Sequence, residues 1–238
     1  GVSSAASDVY KRQVAYAATL VLFVLATKLT TSANAIFLQA TAPLWLMLLG
    51  PLVLGERARP RDRWLALAMA GGMACSLLDR SAATALAPQP ALGNLLAAAS
   101  GLTWAVTVMA LRDASRREGG SSLPVVTAGN LLACGVSLPF MMPLEPVDRH
   151  DLLAILYLGV VQVGLAYVIM DRAMRHVPAL ETGMLVLLEP AMNPVWTLLL
   201  LGERPGPLTL VGGLVILATT LANVLVHPRD ASAGPSPD

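Results

Sequence analysis

The sequence predicts an all-α polytopic membrane protein with eight transmembrane helices visible, built on an inverted repeat. Three observations predict it. Of 238 residues, 55% are hydrophobic and only 13% are charged, against about 25% charged in a soluble domain, and the mean hydropathy is +0.66. The charges fall in clumps, and the gaps between clumps approach the roughly 20 apolar residues that span a bilayer. Two segments 147 residues apart also read alike without a gap.

The same arithmetic excludes several classes. A net charge of +1 leaves no basic face for nucleic acid and no acidic tail. Cys75 and Cys134 both lie inside apolar runs, without CxxC or Cys/His metal spacing, so neither a disulfide framework nor a zinc module is expected. No metal and no cofactor is expected. A soluble helical core is excluded because so many apolar runs would leave too little polar surface to face water.

The charge gaps predict helices over 14–30, 33–54, 63–79, 92–111, 122–142, 152–172, 179–201 and 207–226. Gly, Ala and Pro are abundant inside them, as lipid-embedded helices allow. The first thirteen residues have no apolar run and read as a leader foreign to the fold. The stretch 80–91 reads as a linker and 227–238 as a polar tail.

Loops alternate sides across eight spans. One set holds Arg57, Arg59, Arg61, Arg63, Arg112, Arg116, Arg117, Arg172, Arg175 and Arg229; the other holds Lys28, Arg80, Arg149 and Arg204. This ten-to-four bias places the first set, and the C-terminus, in the cytoplasm. The acidic loop with Glu145, Asp148 and Asp151 then lies outside.

The repeated segments begin at Ser32 and Ala179. Each places a Pro (Pro43, Pro190) thirteen residues before a Glu (Glu56, Glu203) in a terminal Leu-Gly-Glu-Arg. They fall on the second and seventh helices. An odd number of spans separates them, so the copies cross the membrane in opposite directions. Inverted repeats of this kind mark secondary transporters, with the substrate site at the repeat interface. The second copy (92–226) holds five spans and the first (14–79) three, so two further spans are expected ahead of Val14.

These residues resemble the EamA-type branch of the drug/metabolite transporter superfamily. The elements that carry the resemblance are Pro43…Leu54-Gly55-Glu56, Pro190…Leu201-Gly202-Glu203, Thr103-Trp104-Ala105 and Leu165-Ala166-Tyr167. The resemblance covers about 14–226 and implies ten helices in two inverted five-helix repeats. It implies a carrier of metabolites, amino acids or drugs, chiefly an exporter in the bacterial inner membrane. It also implies a gating or helix-anchoring role for Glu56 and Glu203, whose default reading is a solvated charge at the membrane interface.

The seventh helix carries the most informative polar set. Thr182, Glu189, Asn193 and Trp196 share one helical stripe. Pro190 and Pro194 lack an N–H, so the carbonyls four residues earlier lose their usual partners. A carboxylate at the bilayer centre costs at least ~2.5–3.5 kcal/mol, so Glu189 is expected to be neutral, paired or open to a wet cavity. It is the candidate proton carrier; the alternative is a Glu that only braces the kink. Glu181, near the end of the same helix, reads as a helix cap or dipole partner, with a substrate contact as the alternative. Asn34, Thr41 and Trp45 form a similar stripe on the second helix. Gln162, a lone amide within a span, is a cavity candidate. Trp104 offers an aromatic face to organic cations or apolar substrates. Asn130 and Asn223 read as interhelical hydrogen bonds, and Ala66-Ala70-Ala74 and Ala97-Gly101-Ala105 as packing faces.

No nucleotide loop or catalytic motif is present. The expected partners are a small-molecule substrate, the lipid bilayer and protons, with no nucleic acid; nothing sets the oligomeric state. A membrane enzyme would need clustered acids or histidines at one membrane face. Asp171-Arg172…Arg175-His176 is too basic for that and reads as an inner anchor. A non-catalytic membrane scaffold is the remaining alternative.

Overall fold

The computed structural model describes residues 2–53, 60–79, 86–115, 123–142, 146–173 and 188–226. The elements are α1 (Val2–Leu29), α2 (Ser32–Gln39), α3 (Ala42–Val53), α4 (Pro60–Leu78), α5 (Pro90–Ser115), α6 (Leu123–Ser137) running into a 3₁₀ turn (Leu138–Met141), α7 (Arg149–Leu156), a π-helical segment (Tyr157–Leu165), α8 (Ala166–Ala173), α9 (Leu188–Leu201) and α10 (Pro207–Val226). Six described segments are long and apolar enough to cross a membrane: Tyr10–Leu29, Ser32–Leu49, Pro90–Ala110, Leu123–Met141, Arg149–Ile169 and Pro207–Leu225. The apolar part of α4, Arg63–Leu78, is shorter. The chain is an all-α polytopic membrane protein.

Two described spans depart from straight α-helices. The second is two half-helices. Pro43 is the second residue of α3 and has no N–H to give to the carbonyl of Gln39, so the ladder cannot run through. The chain closes α2 with tight bonds, Ala40 N to Ile36 O at 2.9 Å and Thr41 N to Leu38 O at 3.3 Å, and then starts again. The sixth is α-helical only at its ends. Between them nine residues are π-wound, and the Ala166 N–H reaches the carbonyl of Val161, five residues back. Of the seventh span, Leu188–Leu201 is described, with Pro194 inside the helix. The first span differs in length only, since α1 starts at Val2 and runs unbroken through the expected leader.

Helix ends follow local chemistry. Asp148 and Asp151 form a reciprocal capping box at the start of α7, so these acids of the expected loop stabilise a helix N-terminus. Gly202 closes α9 at φ +66°, the left-handed region where a Cβ is strained. That conformation turns Gly202 N onto Leu198 O at 3.1 Å and Glu203 N onto Thr197 O at 3.2 Å. The Gly of the second Leu-Gly-Glu is therefore a helix terminator.

Packing rests on small residues, as it does where lipid removes the hydrophobic drive for helices to associate. α4 crosses α10 where Gly72 meets Gly212: a Cβ on Gly72 would lie 2.8 Å from Gly212 O. α5 meets the break between α2 and α3 at Gly101, where a Cβ would lie 2.8 Å from Leu38 O and 3.1 Å from Gln39 O. Ala97, Gly101 and Ala105 are buried as the expected packing face; Ala74 of the other expected face is exposed, while Ala66 and Ala70 pack on the core. The main core joins Ala33, Ile36, Phe37 and Leu44 to Met69 of α4 and Ile216 of α10. α2 packs on α9 and α4 on α10.

Candidate functional site

Two groups of polar side chains lie among the helices. The first gathers where α1, α6, α8 and α9 approach. Tyr16 of α1 is fully buried, its ring seated on Gly129, where a Cβ would come within 2.5 Å of Cδ1. Asn130, the next residue on α6, donates from Nδ2 to Tyr16 Oη at 3.2 Å, the interhelical bond its place in a span demands. Tyr167 of α8 meets the Tyr16 ring edge-on at a centroid distance of 6.1 Å and shares a side-chain hydrogen bond with it. Glu189 of α9 lies within electrostatic reach of Tyr167. Beside this group a cleft of about 510 Å³ opens between α6 and the π segment. Thr127, Asn130 and Tyr167 supply its polar groups, and Val126, Val163 and Val168 part of its apolar wall. That volume suits a small organic solute. Gly159 and Gly164, five apart in the π segment, also line it. π-Winding often accompanies functional sites.

The second group ties helix ends together at the face where α1 and α4 finish and α2, α5 and α10 begin. Thr30 Oγ1 donates to Asn94 Oδ1 at 2.6 Å, and Asn94 Nδ2 donates to Ser76 O at 3.2 Å. α10 starts at Pro207 after Gly206, which has no side chain to cap it. Asp79, at the end of α4, does so instead: Thr209 N donates to Asp79 Oδ2 at 2.8 Å, and Thr209 Oγ1 lies 2.7 Å from both Asp79 Oδ2 and Asn34 Oδ1. A Cβ on Gly206 would overlap the Asp79 carboxylate.

The family follows from the sequence of this second half. Residues 91–225, from α5 to the end of α10, match the model of the EamA-like transporter family. The chain belongs to the EamA-like transporter family. A solved crystal structure 22% identical to this EamA-like chain overlays it with a TM-score of 0.58, covering 92% of this chain and 76% of the other; it shares the fold. No curated protein matches the chain.

Within this EamA-like fold the expected site residues separate. Asn193 is half-buried, and its Nδ2 is buried with no acceptor among the described residues; Trp45 Nε1 on α3 is in the same condition. Glu189 is exposed and sits in the first turn of α9. Pro190 is buried in that same first turn, where its missing N–H leaves no gap within α9; Pro194 lies inside the helix. Asn34 and Thr41 are buried with internal partners, Asn34 on Thr209 and Thr41 on the carbonyl of Leu38, so neither lines the cleft. Trp104 is half-buried on α5, one turn beyond Gly101. Gln162 is exposed on the π segment and is not among the cleft-lining residues. Glu203 is 6% exposed, with Oε1 buried and lacking a hydrogen-bond partner among the described residues. The solvated-charge reading of Glu203 is therefore corrected. Trp196 is exposed and Pro43 half-buried. Glu181, Thr182, Gly55 and Glu56 lie outside the described residues.

Sequence reasoning passed over Tyr16, Tyr167 and Asp79 as site residues. Tyr16 and Tyr167 are ordinary apolar-run residues until the fold pairs them. Asp79 reads as a loop charge beside Arg80. The one available signal was Gly206-Pro207-Leu208-Thr209, a helix start with no capping side chain of its own.

Proposed function

We propose that this protein is a secondary carrier of small organic solutes, of the metabolite, amino-acid or drug class. It works by alternating access as an exporter in the cytoplasmic membrane, with its C-terminus in the cytoplasm. The observation that carries this reading lies on α3 and α9, the helices that hold Pro43 and Pro190. Trp45 Nε1 on α3 and Asn193 Nδ2 on α9 are buried donors without acceptors among the described residues. Buried donors are rarely left unpaired, and a polar solute passing between the two repeats would satisfy them. Glu189 lies one turn before Asn193 on α9 and within electrostatic reach of Tyr167. The unpaired amide, the carboxylate, the tyrosine pair and the cleft therefore follow one another.

Glu189 is the group placed to couple transport to a proton gradient. In this reading Glu189 takes up a proton on one side and releases it on the other as the carrier alternates between its two faces. The test is the full-length protein in liposomes, loaded with a panel of labelled amino acids, metabolites and cationic drugs under an imposed pH gradient. Glu189→Gln keeps size and hydrogen bonding but holds no exchangeable charge. The expected variant exchanges solute and no longer concentrates it. A variant that concentrates solute like the parent, with the same pH dependence, removes Glu189 from coupling. The orientation is checked separately by a reporter fused after Asp230, which should read as cytoplasmic.

A further inference from the structure

The half-helix α2 is a separable piece of the fold. It has eight residues, and its ladder to α3 is interrupted at Ala40–Thr41. Its own N-cap is Thr31, whose Oγ1 accepts from Asn34 N at 3.3 Å. Near its start, the polar side chain that ties it to the α4–α10 pair is Asn34, through Thr209 and Asp79. Asn34, Thr209 and Asp79 are 2%, 0% and 8% exposed, and in sequence Thr209 stands 175 residues from Asn34 and 130 from Asp79.

Proton counting fixes how the bridge works. Thr209 Oγ1 lies 2.7 Å from an oxygen of Asn34 and 2.7 Å from Asp79 Oδ2. One hydroxyl has one proton and serves one acceptor. A half-turn of the Asn34 amide places Nδ2 toward Thr209 and supplies the second. Asn34 then donates to Thr209, whose hydroxyl and N–H both donate to the Asp79 carboxylate. The carboxylate sits at the N-terminal end of α10, where Thr209 N donates to it. Among the described residues, the hydroxyl of Thr209 links Asn34 of α2 to Asp79 of α4, beside the apolar cluster that Ala33, Ile36 and Phe37 form with Met69 and Ile216.

We propose that the Asn34–Thr209–Asp79 bridge is a latch that holds α2 shut at this end of the bundle, with Thr209 and Asp79 as positioning residues of the transport cycle. The proposal rests on the carrier reading, and its mechanical content stands on the hydrogen bonds alone. Opening this end requires water to reach three buried polar groups and the Thr209 hydroxyl to release Asn34. The α10 cap survives that step, because the Thr209 N–H remains on Asp79.

Thr209→Val removes the hydroxyl, keeps the shape and leaves the backbone cap intact; Thr209→Ser keeps the hydroxyl. Amide hydrogen exchange of the full protein in lipid nanodiscs, read by mass spectrometry, follows the open population of each helix. Thr209→Val should raise exchange over residues 32–39 by about tenfold, the change that loss of one charge-linked hydrogen bond brings. Residues 207–226 and 63–78 should stay at parent rates, and Thr209→Ser should restore residues 32–39. Unchanged exchange over 32–39 overturns the latch. So does an equal rise in α2, α4 and α10, which marks Thr209 as a general packing residue. Because no solute is involved, neither result depends on the carrier reading.

Discussion

Gly71 and Gly72 are adjacent on α4, and substituting each by Ala should move stability in opposite directions. A Cβ on Gly71 meets nothing within 4 Å. Ala there removes the helix penalty of Gly and gains about 0.5–1 kcal/mol. A Cβ on Gly72 would lie 2.8 Å from Gly212 O, 3.0 Å from Ile216 Cγ1 and 3.1 Å from Val215 Cγ1. The nearest of these is backbone, which no rotamer change can move. α10 must then back away from α4, a kind of overpacking that costs about 1–3 kcal/mol. The propensity gain is common to both variants and cancels, so their difference isolates the crossing. At about 2–4 °C per kcal/mol for a chain of this size, the two midpoints should differ by about 2–12 °C, with Gly71→Ala the higher. The assay is thermal unfolding in one detergent at one scan rate, since unfolding of such proteins is seldom reversible. Equal shifts of the same sign would refute the close α4–α10 crossing.

Thr30→Val keeps the shape but takes the 2.6 Å donor from Asn94 Oδ1. It should cost about 0.6–1.7 kcal/mol, the range of interhelical hydrogen bonds in bilayers, read as a lower melting midpoint. Gly202→Ala forces a Cβ into φ +66° and should cost about 1–2 kcal/mol, with Gly202→Asn milder in the same melting series. Tyr167→Phe removes a hydroxyl from the cleft beside Tyr16 and Glu189. It should lower solute exchange in liposomes by up to about tenfold, the worth of one neutral hydrogen bond, and lower the melting midpoint by about 1–6 °C as the bond to Tyr16 is lost.

The sequence by itself determined the class of the protein and the course of its chain. The charge-gap spans agree with described helices at six of eight places within a few residues at both ends, because a bilayer excludes charge over a fixed length whatever the tertiary contacts are. It also held the family: the Pro…Leu-Gly-Glu pair records backbone requirements. Pro43 opens a half-helix, and Gly202 supplies a left-handed turn; both are local. Tertiary structure decided the rest. The break at Ala40–Thr41 needs Gly101 of another helix to sit against it. Asn34 has the look of a cavity amide on its own helix and becomes part of a buried bridge only when Thr209 and Asp79 arrive from elsewhere in the chain. Glu203 has the look of an interface charge and is buried in the folded chain. Polar residues in a span can be located from hydropathy, but their partners lie across the bundle. The partner decides whether a side chain is satisfied structure or is left free to bind.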